Sequence, residues 1–157
     1  MWTFSYFVTQ FARITDFIPL TVPGETKIQD TDYSFRVKGA LISYIYLMNN
    51  STRQEHEISA SLFSEEYALF NYDGRPHFVL RSKGGGTNNA FDYVVVDIST
   101  SEPNLIGYGQ ACSNPRLNGD SLEFYDVPGK CDLFPFGSRI STWKMKLDVN
   151  NEFSNSS

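Results

Sequence analysis

The chain is short of almost everything that marks a specific chemistry. It has 157 residues and only two cysteines, Cys112 and Cys131. Two cysteines cannot form a disulfide framework or a cysteine zinc site. Two histidines, His56 and His77, lie in different predicted strands with no cysteine or carboxylate at ligand spacing. That pattern gives no metal site and implies no cofactor. No Gly-x-Ser-x-Gly elbow marks a serine nucleophile, and no serine has a recognisable general base nearby in sequence. Enzyme chemistry is therefore not the expectation.

Basic runs are absent, and the net charge is −5. Nucleic-acid affinity rests largely on neutralising phosphates with Lys and Arg, so nucleic acid is excluded as the expected partner. Apolar runs are short as well. None approaches the roughly 20 residues that a spanning helix needs, so no transmembrane segment is expected. The N-terminus opens apolar without a basic region and is broken early by Arg13 and Asp16, so no clear signal peptide is present. The chain reads as soluble, with a membrane-peripheral location left open and the compartment unassigned.

Aromatic residues are plentiful at 15% of the chain, with 13 Phe and 9 Tyr. Aromatic and β-branched side chains suit pleated, half-buried surfaces, so composition leans toward β structure. A chain of this length folds as one domain, 1–157, with a core large enough to need no staples.

Phe4, Phe7, Val8, Phe11, Ile14, Phe17 and Ile18 recur at helical spacing, and Pro19 then removes a backbone donor. This predicts an N-terminal amphipathic helix over 1–19. It would pack on the core, or lay Trp2, Phe4, Phe7 and Phe11 against a partner or membrane. Residues 20–32 are polar, with Pro23-Gly24, and read as a loop. Strands are expected at 33–38, 41–48, 55–63, 67–70, 77–80, 91–98, from 105, at 122–125 and at 140–149. The tail 150–157 is expected to fray. Asp73-Gly74 between two apolar runs is a hairpin turn signal. Gly84-Gly85-Gly86 precedes a strand rather than a helix, so it reads as a hairpin loop and not a phosphate cradle. About nine strands with turn signals every eight to twelve residues predict an all-β fold, an antiparallel barrel or sandwich.

Few residues suggest a site. Arg75, Arg81 and Lys83 cluster in sequence around one hairpin and could hold an anionic headgroup or a partner carboxylate. Glu65 and Glu66 must face opposite sides of a strand, as must Asp92 and Asp97, so both pairs read as carboxylates solvating the sheet. Cys112 and Cys131 flank a turn-rich loop and could close it with a disulfide in an oxidising compartment. Asn50-Ser51-Thr52 and Asn155-Ser156-Ser157 match the glycosylation pattern.

The segment 67–126 carries Leu69-Phe70-Asn71-Tyr72-Asp73-Gly74, then Phe78-Val79-Leu80-Arg81-Ser82-Lys83. Phe91-Asp92-Tyr93-Val94-Val95-Val96-Asp97, Ile106-Gly107, Ser113-Asn114 and Phe124-Tyr125-Asp126 follow. This order resembles the tubby-like C-terminal domain and, more loosely, its scramblase and plant LURP-one relatives. The resemblance implies a β-barrel and, as in tubby proteins, a phosphoinositide site of Lys and Arg. Arg81 and Lys83 fall near its basic positions. The family's later arginine is replaced by Tyr108-Gly109-Gln110-Ala111-Cys112, and its hydrophobic C-terminal helix has no counterpart.

Three expectations follow. The first is a non-catalytic β-barrel binding module that docks to a lipid headgroup or protein partner. The second is a calycin- or lipocalin-like barrel around a small apolar ligand. The third is a structural subunit of a larger complex.

Overall fold

The computed structural model describes residues 14–20, 23–39, 41–61, 65–83, 90–126, 131 and 141–149. The strands are β1 (Ile18–Pro19), β2 (Gly24–Lys27), β3 (Tyr33–Lys38), β4 (Ser43–Asn49), β5 (Glu55–Ser61) and β6 (Glu65–Tyr72). They continue with β7 (Arg75–Lys83), β8 (Phe91–Asp97), β9 (Asn104–Ala111), β10 (Arg116–Asn118), β11 (Ser121–Asp126) and β12 (Ser141–Lys146). The chain runs through three successive antiparallel meanders: a four-stranded sheet β2-β3-β4-β5, a five-stranded sheet β1-β6-β7-β8-β9, and a three-stranded sheet β10-β11-β12. The fold is all-β, and among the described residues the sheets are open rather than closed into a barrel.

The five-stranded sheet carries a core on each face. One holds Phe35, Ile45 and Leu47 of the four-stranded sheet against Tyr67, Phe78, Leu80, Val94 and Val96. The other holds Val79, Tyr93, Val95 and Ile106 against Leu122, Phe124 and Met145 of the three-stranded sheet. Both faces being covered explains the uninterrupted apolar runs Phe78-Val79-Leu80 and Tyr93-Val94-Val95-Val96. In a sheet with one wet face, alternate residues would be polar. Phe35 meets Tyr67 and Phe78 with ring centroids 4.9 Å apart in each case, so aromatic side chains fill the inter-sheet space.

Local chemistry sets the register. Asp73 and Gly74 both have positive φ, 53° and 72°, which is the two-residue turn whose twist matches the flanking strands. It pairs Tyr72 with Arg75 and, counting outward, Glu65 with Ser82. β7 and β8 pair from His77–Asp97 to Lys83–Phe91, as the triple-glycine hairpin requires. Residues 84–89 themselves lie outside the described residues.

On β9, Gly107 and Gly109 sit beneath β12. A Cβ on Gly109 would come within 2.0 Å of the Trp143 ring, and one on Gly107 within 3.2 Å of Met145. That ring is fixed: it stacks on Phe124 at 4.2 Å, and its Nε1 donates to the Gln110 carbonyl at 3.0 Å. The two glycines let the third sheet approach the second.

Several expectations are corrected. The helix over 1–19 is not seen in its described part: residues 14–17 have no regular structure and β1 begins at Ile18. Ile18 and Pro19 pair with Tyr67 and Glu66 as an edge strand, where a residue lacking an N–H costs no ladder bond. Ile14 and Phe17 still contribute to the core, through an extended segment rather than a helix face. Trp2, Phe4, Phe7 and Phe11 lie outside the described residues, as does the tail 150–157. The expected loop 20–32 contains β2, and a short β10 was not anticipated. The expected strand 41–48 loses its first two residues to a bend at Leu41 and Ile42, leaving Leu41 87% exposed. Cys112 and Cys131 form a disulfide with Cα atoms 5.0 Å apart, enclosing the β10–β11 hairpin.

Candidate functional site

The three cations singled out in the sequence share a face of β7 by alternation but do not form one site. Arg75 and Arg81 are six residues apart, which separates them by about 20 Å along a strand. Arg75 lies 3.0 Å from Asp148 and 3.7 Å from Asp97. Arg81 donates to Glu66 at 2.9 Å, and its guanidinium lies over the Phe17 and Phe91 rings at 3.9 and 4.9 Å. Its side chain is only 16% exposed. Both arginines therefore already have carboxylate partners. Lys83 is exposed at the strand's end.

Around Arg75 the side chains form a network that runs from buried His77 and Asp97 out to exposed Asp148. The His77 ring is fully buried, its Nδ1 lies 2.9 Å from the Arg75 carbonyl, and its Nε2 lies 3.7 Å from Asp97. Burial pushes His77 below its ordinary pKa, against the smaller pull of Asp97. Tyr72 donates to Asp148 at 2.6 Å, and that bond raises the phenol to about 12. Asn104 donates to the Val149 carbonyl at 2.6 Å. These contacts tie the segment after β12 onto the second sheet, which gives the cluster a structural role. Asp97, expected to solvate the sheet, is instead 5% exposed and accepts from the Ser99 N–H at 2.9 Å.

A different feature has the properties of a site. At the far end of the second sheet, on the face toward the four-stranded sheet, register lines up Glu65, Ser82, Asp92 and Gln110 across four strands. The next row inward is Tyr67, Leu80, Val94 and Tyr108, so a polar row borders the apolar core. Above it lies a cleft of about 330 Å³, walled by Ile58, Ser59 and Ala60 of β5 and by Ser82, Asp92, Val94, Tyr108 and Gln110. Tyr108 is 60% exposed at its mouth.

Glu65 is the anomaly in this row. It is 2% exposed, its Oε1 accepts from the Ser59 hydroxyl at 2.6 Å, and its Oε2 is buried with no partner. Burial pushes its carboxyl up to about 7; the Ser59 bond opposes this, and the Asp92 charge adds to it. Asp92 accepts from Gln110 Nε2 at 2.7 Å through Oδ1. The row thus holds the Asp92 side chain at the cleft wall and, behind it, the buried Glu65 carboxyl raised to about 7.

The opposite faces expected for Glu65 and Glu66 are as observed: Glu65 faces this corner and Glu66 reaches Arg81. What sequence reasoning missed was that Glu65 and Asp92 share a face. The turn carried the signal, since equal counting from Asp73-Gly74 sets Glu65 opposite Ser82.

A second cleft of about 420 Å³ lies between the β2–β3 turn and the 98–101 loop, lined by Asp30, Asp32, Tyr33, Asn49, Ser51 and Thr100 among others. Its polar groups are largely consumed internally. Tyr33 donates to the Thr100 carbonyl at 2.7 Å, Asn49 to the Ser101 carbonyl at 3.0 Å, and Ser51 to Asp32. Among the described residues, no three His, Cys, Asp or Glu side chains converge as metal ligands, and no helix is long and apolar enough to cross a membrane.

No family model, curated protein or solved structure matches the chain.

Proposed function

We propose that this protein is a non-catalytic β-sheet binding module whose contact site is the cleft lined by Ser82, Asp92, Tyr108 and Gln110. The observation that carries the reading is the row itself: polar groups set side by side on four strands, three of which, Ser82, Asp92 and Gln110, line the cleft. Clefts with a few convergent polar groups are where ligands are recognised, and Ser82, Asp92 and Gln110 supply such groups here. Rigid strands, rather than loops, position every member of the row, which suits recognition.

A headgroup-docking hairpin draws less support from the geometry. Arg75 and Arg81 are engaged by Asp148 and Glu66, which leaves Lys83 as the open cation of the three. An internal apolar ligand has little room, since Phe35, Tyr67 and Phe78 pack against one another where it would sit. The exposed Leu41, Ile42 and Tyr44 at the start of β4 offer a contact surface for a partner subunit.

Photocrosslinking tests the proposal. Benzoylphenylalanine replaces Tyr108 in one variant and Lys146, exposed on β12, in another, and each is illuminated in extract of the native source. Adduct at position 108 and none at 146 is the expected result, and the adduct's mass separates a small ligand from a protein. Equal adducts at both positions, or none at 108, would overturn the proposal. Binding to phosphatidylserine vesicles that Lys83→Glu abolishes would return the function to the hairpin.

A further inference from the structure

The turn between β4 and β5 holds two overlapping acceptor triplets for N-linked sugar, Asn49-Asn50-Ser51 and Asn50-Ser51-Thr52. Such triplets are common by chance, so the pattern alone decides nothing. Two independent observations single out Asn50.

The first concerns the compartment. Cys112 and Cys131 are joined across 19 residues of sequence, and no free cysteine is left. The pair is not a closely spaced redox motif; it encloses the β10–β11 hairpin and so acts as a structural bond. Structural disulfides persist in oxidising compartments. In a eukaryotic cell that is the secretory pathway, where sugar is added to asparagine.

The second is the geometry of the turn. Asn49 is 4% exposed, and its side chain is spent at both ends. Its Oδ1 accepts from the Ser51 and Thr52 N–H groups at 2.9 and 3.1 Å, and its Nδ2 donates to the Ser101 carbonyl at 3.0 Å. A sugar on that nitrogen would have to enter the packing between β4 and the 98–101 loop. Asn50 is half-buried on the turn itself, and Ser51, Thr52 and Arg53 after it are exposed. Its Nδ2 donates to the Ser34 hydroxyl at 3.0 Å. An amide nitrogen has two N–H groups, so a sugar replacing one leaves the other for Ser34.

We infer that Asn50 carries an N-linked glycan. The donor is an oligosaccharide on a polyprenyl pyrophosphate. A bond forms between Asn50 Nδ2 and the anomeric carbon of the first sugar, and that carbon's bond to the pyrophosphate oxygen breaks. The pyrophosphate leaves with the electron pair, and the amide gives up one proton; nothing is oxidised or reduced. Asn50 stands apart from the proposed contact cleft. The cleft residues Ser59 and Ala60 pair with Ile45 and Tyr44, which puts Asn50 about 15–20 Å further along β4. A glycan there leaves the cleft open and keeps the opposite end of the sheets in solvent.

The test begins with protein from its native source, treated with peptide N-glycosidase F in heavy-oxygen water and mapped by mass spectrometry. Expected is a labelled aspartate at position 50 and none at 49. The whole chain is then expressed behind a secretory leader in insect cells as wild type, Ser51→Ala, Thr52→Ala and Thr52→Ser. Ser51→Ala removes the triplet of Asn49 alone, and Thr52→Ala that of Asn50 alone. The glycosidase-sensitive mobility shift should persist in Ser51→Ala and Thr52→Ser and vanish in Thr52→Ala. Thr52→Ala leaves Asn50 and its bond to Ser34 in place, so the loss reads the acceptor triplet and not the fold. A shift kept in Thr52→Ala and lost in Ser51→Ala would assign Asn49 and overturn the inference. So would native protein labelled only at Asn155 or nowhere, or native protein with Cys112 and Cys131 as free thiols.

Discussion

Replacing Glu65 by Gln isolates the energetic consequence of burying a carboxyl. In the folded chain the carboxyl titrates near 7, whereas its ordinary value is 4.5. At 1.36 kcal/mol per pH unit, that interval corresponds to about 3 kcal/mol. The sign is fixed by proton counting. Between pH 4.5 and 7 the folded state keeps the proton and the unfolded state loses it. The stability associated with the neutral carboxyl is therefore fully present below 4.5, falls as pH rises through this window, and is gone above about 7. Gln has the same shape, keeps an oxygen to accept from Ser59, and does not ionise. The wild type and Glu65→Gln should thus have similar unfolding free energies near pH 4.5, with the variant gaining by up to about 3 kcal/mol at pH 8. That is a large fraction of the roughly 5–15 kcal/mol typical of a domain. Urea unfolding at pH 4.5, 6 and 8, with the disulfide intact, measures it directly. The lowered carboxyls of Glu55, bonded to Lys38 and Arg36, and of Asp120, bonded to Lys146, lose their stabilisation toward acid in both proteins and cancel in the difference. A wild-type-minus-variant difference that does not change with pH would show that Glu65 is not buried as described.

Gly109→Ala should destabilise by about 1–3 kcal/mol, because the added methyl meets a Trp143 ring that is held by Phe124 and by its bond to Gln110. Urea unfolding followed by tryptophan fluorescence reads it, and an unchanged midpoint would refute the close approach of β12 to β9. Cys131→Ser opens a loop spanning 19 residues of sequence and should cost about 3 kcal/mol, chiefly by freeing the unfolded chain. Comparing its unfolding midpoint with that of reduced wild type checks the assignment, since the two should coincide.

Strand existence was legible in the sequence wherever one local signal dominated. Asp73-Gly74 specified a turn, a register and the two flanking strands, and Tyr33–Lys38 alternates clearly enough to give its bounds residue for residue. The N-terminal segment misled because Ile14, Phe17 and Ile18 satisfy helical spacing while the structure uses them separately. Ile14 and Phe17 go to one core, and Ile18 pairs with Tyr67 at a sheet edge. Nothing local distinguishes these outcomes, since the decision belongs to β6, about fifty residues away. β2 escaped for a related reason. Gly24-Glu25-Thr26-Lys27 has no apolar face, and it is a strand because β3 offers an edge to pair with.

Three layers, and with them the site, were harder to read for a physical reason. A sandwich of two sheets needs each strand to bury one face, and alternation then reports the inside. Here the middle sheet buries both, so Phe78-Val79-Leu80 says only that the strand is covered. It does not say by what. The assignment of Phe78 and Leu80 to the four-stranded sheet, and of Val79 to the three-stranded one, follows from packing at long range. Glu65 and Asp92 inherit this ambiguity. Taken singly, each is a carboxylate near a strand end, and a carboxylate near a strand end is ordinarily wet. Register places them in one row with Ser82 between them, and the neighbouring four-stranded sheet, through Ser59, turns one wet end into a nearly dry one. A chemically distinctive group thus arises from unremarkable residue types. Its distinction is the environment, which is set by strands 6 to 45 residues away in sequence. The same physics says where to look in similar all-β chains: at acids that a two-residue turn sets opposite a small polar residue, where the strand's next inward neighbour is apolar.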